Sequence, residues 1–257
     1  MVSEFQMLTM HSSSGTLQPF LERLLRRSAL SEADQQTVLS LPAEAAKLPA
    51  GSHFVPMNTI PRHACLVLDG IAARYGLAAD GRRQITALYI RGDMPDLSSV
   101  ILPPLSSALE TLTQCTLLRV PHAALRNICH SPAIAEALWR DTLVDMAIST
   151  EWVVNLGQRD APTRIAHILC ELAVRYGLGE HRHEFEFPMA LTQHHLAEAA
   201  GISTVHANRA VQILKMRRLI TMASRCLQVL DWQGLKRAAD FDPAYLHLAE
   251  PPAPLRS

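Results

Sequence analysis

Within Leu191–Ile220, LTQHHLAEAAGISTVHANRAVQILKMRRLI, small and apolar residues recur where two short crossed helices must touch. Thr192 can cap a helix over 193–200, Gly201 suits a tight turn, and Ser203 can cap a second helix reaching about Arg217. Leu196, Ala200, Ile202, Ala207 and Ala210 take the contact positions, and Ala197 is small where the helices meet. This is the helix-turn-helix pattern. An α-helix fits the major groove of DNA and turns its N-terminal residues to the base edges. Here those residues are Thr204, Val205, His206, Asn208 and Arg209. Arg bonds guanine O6/N7, Asn bonds adenine N6/N7, and Val packs on a thymine methyl. Thr192, Gln193, Ser203, Arg217, Arg218 and Arg225 are expected on phosphates, which set register and carry no sequence information. Two short strands around Ala223-Ser224-Arg225, with Phe185-Glu186-Phe187 as a third, would add a wing.

Charge supports this placement. The chain has 24 basic and 24 acidic residues, so it is not a globally basic nucleic-acid binder. Residues 203–237, however, hold seven Lys/Arg against one acid, Asp231, while residues 1–157 hold 12 basic and 14 acidic. With 257 residues, 48% hydrophobic and 19% charged, the chain can bury a real core and is neither disordered nor collagen-like. No apolar run approaches a membrane span, and MVSEFQMLTMHSSSG does not read as a secretory signal. Five cysteines, an odd number with no C-x-x-C pair, read as reduced, mostly buried thiols of a cytoplasmic protein.

The preceding sequence has two textures. Residues 1–18 read as a flexible arm, followed by two short helices to Leu41, the second capped by Ser31. Over 48–121, short apolar runs alternate with Gly, Pro and Asp breakers, which indicates a small all-β sandwich or roll. Asp80-Gly81 is expected to turn a hairpin with both residues at positive φ. Residues 132–157 then form one long helix carrying Ile134, Leu138, Val144, Ile148, Trp152 and Leu156, with Leu143, Ala147, Val153 and Val154 on other faces. A helix apolar nearly all round needs two partners, here its own β domain and the same helix of a second subunit. The expected dimer residues are Leu138, Val144, Ile148, Trp152 and Leu156. Asp160 should cap a helix carrying Ile165, Ile168, Leu169 and Leu172.

Together these parts resemble the Crp/Fnr family of bacterial transcription regulators over nearly the whole chain. The resemblance is carried by Leu68-Asp69-Gly70, Asp80-Gly81-Arg82 and Gly92-Asp93 in the β region, by the long helix, and by LTQHHLAEAAGIS-V--NRA. Leu156–Leu172 is similar to the first helix of that family's DNA-binding domain. The resemblance implies an α+β chain. It would have an N-terminal antiparallel β-roll (jelly roll) resembling a cyclic-nucleotide-binding domain over 19–131, a dimerisation helix over 132–157, a winged helix-turn-helix over 158–240 and a tail over 241–257. It also implies operator binding as a homodimer, with a signal received in the β-roll.

Departures from the family bear on that signal. Nucleotide-binding members hold the cyclic phosphate with an Arg-Ser pair and a nearby Glu. Gly92, Asp93, Leu105 and Ser106 mark the corresponding effector pocket, with Leu105 at the Arg position and Ser106 at the Ser position. No Lys or Arg occurs between Arg91 and Arg119, so a buried phosphate would lack its cation and cyclic AMP or GMP is not expected to bind in the usual way. The first 64 residues contain no cysteine, so the family's N-terminal iron–sulfur cluster is not expected. His53, His63 and His122 leave a haem-dependent sensor as an alternative, although they read better as structural or surface histidines. His181-Arg182-His183 and His194-His195 lack cysteine or carboxylate partners at metal-ligand spacing, so neither metal nor cofactor is expected. Best-known members carry Glu where this chain has Val205, so the half-site should differ at that base pair, while Arg209 matches the family's retained Arg.

No Gly-rich phosphate loop, nucleophile elbow or H-E-x-x-H occurs, so an enzyme is not expected. The partners expected are an operator in double-stranded DNA, a second copy of the chain and an unidentified effector, with RNA polymerase as a candidate. A regulator that depends on a small molecule, a cyclic nucleotide held differently or haem, and a constitutive binder whose β domain only builds the dimer remain the alternatives.

Overall fold

The computed structural model describes residues 16–102, 107–179, 182–223 and 225–248. The expected arm up to residue 15, Leu105, Ser106, His181, Ser224 and the chain from 249 onward lie outside the described residues. The fold is α+β, and its described residues group into two compact units. The first comprises 16–76 and 88–146 with 247–248, and the second comprises 77–87 and 147–246.

The first unit opens with helices α1 (Gln18–Leu25) and α2 (Glu32–Leu39), the latter capped by Ser31, whose hydroxyl accepts from the Asp34 amide. Strands β1 (Glu44–Leu48), β2 (His53–Val55), β3 (His63–Asp69), β4 (Ala72–Leu77), β5 (Arg83–Tyr89), β6 (Ala108–Thr111) and β7 (Cys115–Pro121) follow. They form two antiparallel sheets, of order β1-β7-β3 and β2-β6-β4-β5. Helices α3 (His122–Ile128) and α4 (Pro132–Gln158) complete the N-terminal part. Phe20 and Leu24 of α1, Leu66 of β3, Leu118 and Val120 of β7, Leu125 of α3 and Ile134 of α4 share one core. Burying each such side chain is worth about 1.5–3 kcal/mol.

The β4–β5 turn differs from expectation. Gly81 has φ +82° but Asp80 does not enter the left-handed region. The Gly81 amide donates to the Ala78 carbonyl at 2.9 Å and the Ala78 amide to the Arg82 carbonyl at 2.9 Å. This is a type I turn closed by one left-handed glycine, and Asp80 serves by accepting from the Arg82 amide at 3.0 Å.

A buried charge cluster ties three segments of this unit. The Arg23 guanidinium of α1 donates to Asp141 (2.7 Å) and Asp145 (2.9 Å) of α4, and to Asp93 (2.5 Å) in the Gly92-Asp93 turn. Arg27 adds a contact to Asp141 at 3.3 Å. Gly92 has φ +93°, and a Cβ there would lie 2.9 Å from the Pro19 carbonyl oxygen, so glycine is required.

Helix α4 carries the residues expected on the dimer face. Leu138, Val144, Ile148 and Trp152 are buried within the protomer itself, and Leu156 is half-buried. Trp139 (72% exposed), Leu143, Met146, Val153 and Val154 are instead exposed. The expected residues form a helical stripe that is buried in the single chain. Sequence periodicity shows that a stripe exists without showing which partner it meets.

The second unit contains α5 (Ala161–Arg175), β8 (Phe185–Pro188), α6 (Gln193–Ala200), α7 (Thr204–Met216), β9 (Ile220–Ala223), β10 (Cys226–Val229) and α8 (Trp232–Ala239). Asp160 caps α5, accepting from the Thr163 amide at 3.0 Å, and Ile165, Ile168, Leu169 and Leu172 are buried. Glu171 of α5 is buried and accepts three hydrogen bonds, from Trp152 Nε1 (2.9 Å), Tyr245 Oη (3.0 Å) and Arg175 Nη1 (2.9 Å). Residues 241–246, expected to begin a tail, are packed instead, with Phe241 and Leu246 buried. Among the described residues no helix is long and apolar enough to cross a membrane.

Candidate nucleic-acid interface

The sequence of α6 and α7 dictates their ends. The Thr192 hydroxyl accepts from the His195 amide at 3.1 Å, and the Thr192 amide donates to His195 Nδ1 at 3.3 Å, a reciprocal cap. Gly201 ends α6 at φ +63°, and the Ile202 amide closes back on the Ala197 carbonyl at 3.1 Å. The Ser203 hydroxyl then caps α7, accepting from the His206 amide at 3.3 Å. Ala197, Ala207 and Ala210 are all buried, and side chains this small let α6 and α7 cross closely. Helix α5 backs both.

One face of α7 is left open. Thr204, Val205, His206, Asn208 and Arg209 are all exposed, whereas Ala207, Ala210, Val211 and Leu214 are sealed beneath them. Val205 is 61% exposed, with no apolar core of its own to fill. His206 is oriented by Ser203, whose Oγ lies 2.8 Å from His206 Nδ1. Gln193, expected on a phosphate, reaches across and donates to Asn208 Oδ1 at 3.3 Å. The pair links α6 to the exposed face of α7, a link the sequence spacing did not suggest.

The remaining expected phosphate residues, Thr192, Ser203, Arg217, Arg218 and Arg225, are exposed as well. Arg218 and Arg225 sit at φ +55° and +63°, at the two bends that lead from α7 to β9 and from β9 to β10. The strand order β8-β10-β9 is the expected three-stranded wing.

The C-terminal end of α6 has further support. Gln84 Nε2, from the 77–87 hairpin, donates to the Glu198 carbonyl at 2.7 Å, and Arg83 Nε meets the Glu198 carboxylate at 3.2 Å. Arg164 of α5 donates to the Ala200 carbonyl at 3.1 Å. Carbonyls left open at a helix end thus receive charged or amide donors.

The expected effector residues are placed differently. Asp93 is buried, with Oδ1 on Arg23 and Oδ2 accepting from the Ile90 amide at 2.7 Å. Both oxygens are therefore engaged inside the protein, and Gly92 is pressed against Pro19. Of the histidines considered for haem, His53 Nε2 lies 2.8 Å from Tyr75 Oη, buried His122 Nε2 lies 3.0 Å from Ser99 Oγ, and His63 is exposed. His194 meets Glu198 at 3.4 Å.

Comparison with known proteins gives a consistent account of both units. Residues 163–238 match the Crp-like helix-turn-helix domain, and residues 45–131 match the cyclic nucleotide-binding domain. The chain is 27% identical to the nitrogen fixation regulation protein FixK of Azorhizobium caulinodans, over 70% of this chain and 73% of that protein. It is 27% identical to the transcriptional activator protein FnrL of Cereibacter sphaeroides, over 68% of this chain and 72% of that protein. In fold it is similar to the structure of FixK2 from Bradyrhizobium japonicum, with a TM-score of 0.69 and 20% identity over 77% of this chain and 98% of that one.

Proposed function

Because the chain belongs to the Crp/Fnr family of transcription regulators, we propose that it acts as a homodimer that sets two α7 helices in successive major grooves of an operator. In this reading Thr204, Val205, His206, Asn208 and Arg209 meet base edges, while Thr192, Ser203, Arg217, Arg218 and Arg225 meet phosphates. Gln193 either shares its phosphate role with Asn208 or releases Asn208 to an adenine. The observation that carries the reading is the open face of α7, five polar or small apolar side chains standing out from a helix whose other face is sealed. Two such helices must lie about 34 Å apart, one DNA turn, so dimerisation is part of the function.

The dimer seam follows from α4. Trp139, Leu143, Met146, Thr150 and Val153 are exposed and spaced by four, three, four and three residues, the heptad pattern of a two-stranded coiled coil. A signal acting on the first unit would shift the equilibrium between DNA-competent and incompetent states. Cyclic AMP or GMP held in the usual way is not the expected signal, because no cation lies between Arg91 and Arg119 in the sequence to meet a cyclic phosphate. RNA polymerase is the further partner if the regulator activates.

The test starts from an operator selected out of random duplexes by the full-length protein. Arg209→Ala should weaken binding by about 1–3 kcal/mol and relax the base preference at one position. Arg217→Ala should weaken all sequences alike and reduce the salt slope by about one. An Arg209→Ala loss that is equal on every sequence would remove the base-reading role.

A further inference from the structure

In the first unit, an open hollow of about 600 Å3 lies between the loop before β3, the turn Leu97–Val100 and the start of α3. Its polar wall is made by Arg62, His63, Ser99, His122 and Arg126. A smaller hollow of about 220 Å3 shares Arg62 and His63 and adds Arg119. Among the described residues no Asp or Glu lines either one. Arg62 and Arg126 thus stand as like charges on the larger hollow, in a chain whose overall charge is balanced.

The floor of the larger hollow is built rather than loose. Ser99 and His122 are both buried, and Ser99 Oγ lies 3.0 Å from His122 Nε2. The His122 amide donates to the Arg62 carbonyl at 3.0 Å, which holds the loop against α3. Arg126 Nη1 donates to the Val100 carbonyl at 3.2 Å, which steadies that guanidinium while its other donors remain available. Arg62 and Arg126 are exposed at the rim. Burial, with the nearby Arg126 adding to it, holds the His122 ring below its ordinary range. Ile60, Val100 and Pro121 supply an apolar side.

We propose that this hollow binds a small organic anion, its carboxylate or phosphate held between the Arg62 and Arg126 guanidiniums and its body against Ile60, Val100 and Pro121. Guanidinium forks suit both oxyacids, and the volume is that of a small-molecule site. The cations converge on a hollow instead of running as a stripe, which favours a small molecule over a DNA backbone. The site is distinct from the expected effector residues Gly92 and Asp93, which do not line it. It does not depend on how α7 reads DNA.

The experiment is calorimetric titration of the full-length protein with phenyl phosphate and, separately, with phthalate. Saturable binding of one probe, one per chain, is expected, and the tighter probe tells phosphate from carboxylate. Arg62→Ala and Arg126→Ala should each weaken it at least ten-fold, while Arg217→Ala/Arg218→Ala should leave it unchanged. Both rim arginines are exposed, so their variants should melt like the parent. The proposal is overturned if neither probe saturates, if the Arg62→Ala/Arg126→Ala double variant binds as the parent does, or if the arginines matter only for random duplex DNA or an acidic peptide.

Discussion

Asp96 sits fully buried just before the turn Leu97–Val100, and its environment decides its charge. Desolvation pushes its carboxyl up to about 7, against the Cys65 amide, which donates to Oδ1 at 2.7 Å, and the Arg74 guanidinium. Oδ2 is buried without a hydrogen-bond partner among the described residues. An unfolded chain ionises this group near the ordinary carboxylate value, so the folded state is the one that retains the proton. The resulting penalty is absent below about pH 4, grows as pH rises, and is complete above about 7, where it reaches at most about 4 kcal/mol. Asp96→Asn keeps an acceptor for the Cys65 amide and cannot ionise. Urea unfolding should therefore show the variant gaining on the parent between pH 4 and 7, and a pH-independent difference would mean that the carboxyl is hydrated. None of this is visible in the string Met94-Pro95-Asp96, where an acid reads as a turn residue.

At the scale of elements, α4 separates two kinds of apolar stripe. Leu143→Glu or Val153→Glu places a charge on the exposed heptad face and should leave a folded monomer by sedimentation velocity, with operator binding weakened along with dimerisation. Ile148→Glu places it in the protomer's own interior, where an unpaired charge destabilises the fold by several kcal/mol; the expected result is loss of the folded protein rather than a clean monomer. If Leu143→Glu remains dimeric, the seam lies elsewhere. The two helices of the helix-turn-helix were legible in the sequence because their signals are local: Thr192, Gly201 and Ser203 are caps and turns set by their own backbone. The wing was legible for the same reason, from short apolar runs flanking a bend. The β4–β5 turn was legible in place but not in type, because one further residue in the loop changes which position must be left-handed.

Across the whole molecule, each unit has its own buried polar centre: Arg23 with its aspartates in the first, Glu171 with Trp152, Tyr245 and Arg175 in the second. Arg23→Ala would strand Asp93 and Asp141 in the interior and should destabilise the first unit by about 3–5 kcal/mol in chemical unfolding. His167, next to the second centre, is fully buried, and burial with the nearby Arg159 depresses it to about 4. Its folded value is below its unfolded value, so its contribution is complete above about pH 6.5 and is lost as pH falls toward 4. The loss amounts to at most about 3 kcal/mol. His167→Phe should remove that part of the pH dependence of unfolding, and an unchanged acid profile would place the titrating group elsewhere.

Residue order alone determined the helix-turn-helix, its caps, the residues on its outer face, the strand-rich region before it and the membership of a regulator family, because each rests on short-range backbone preference or on a contiguous motif. Tertiary structure decided which face of α4 is spent inside the protomer, that Asp93 belongs to Arg23, and that Arg62 and Arg126 flank one hollow. Those facts join residues dozens of positions apart, and only the packed chain brings such residues within the few ångströms over which charge and desolvation act.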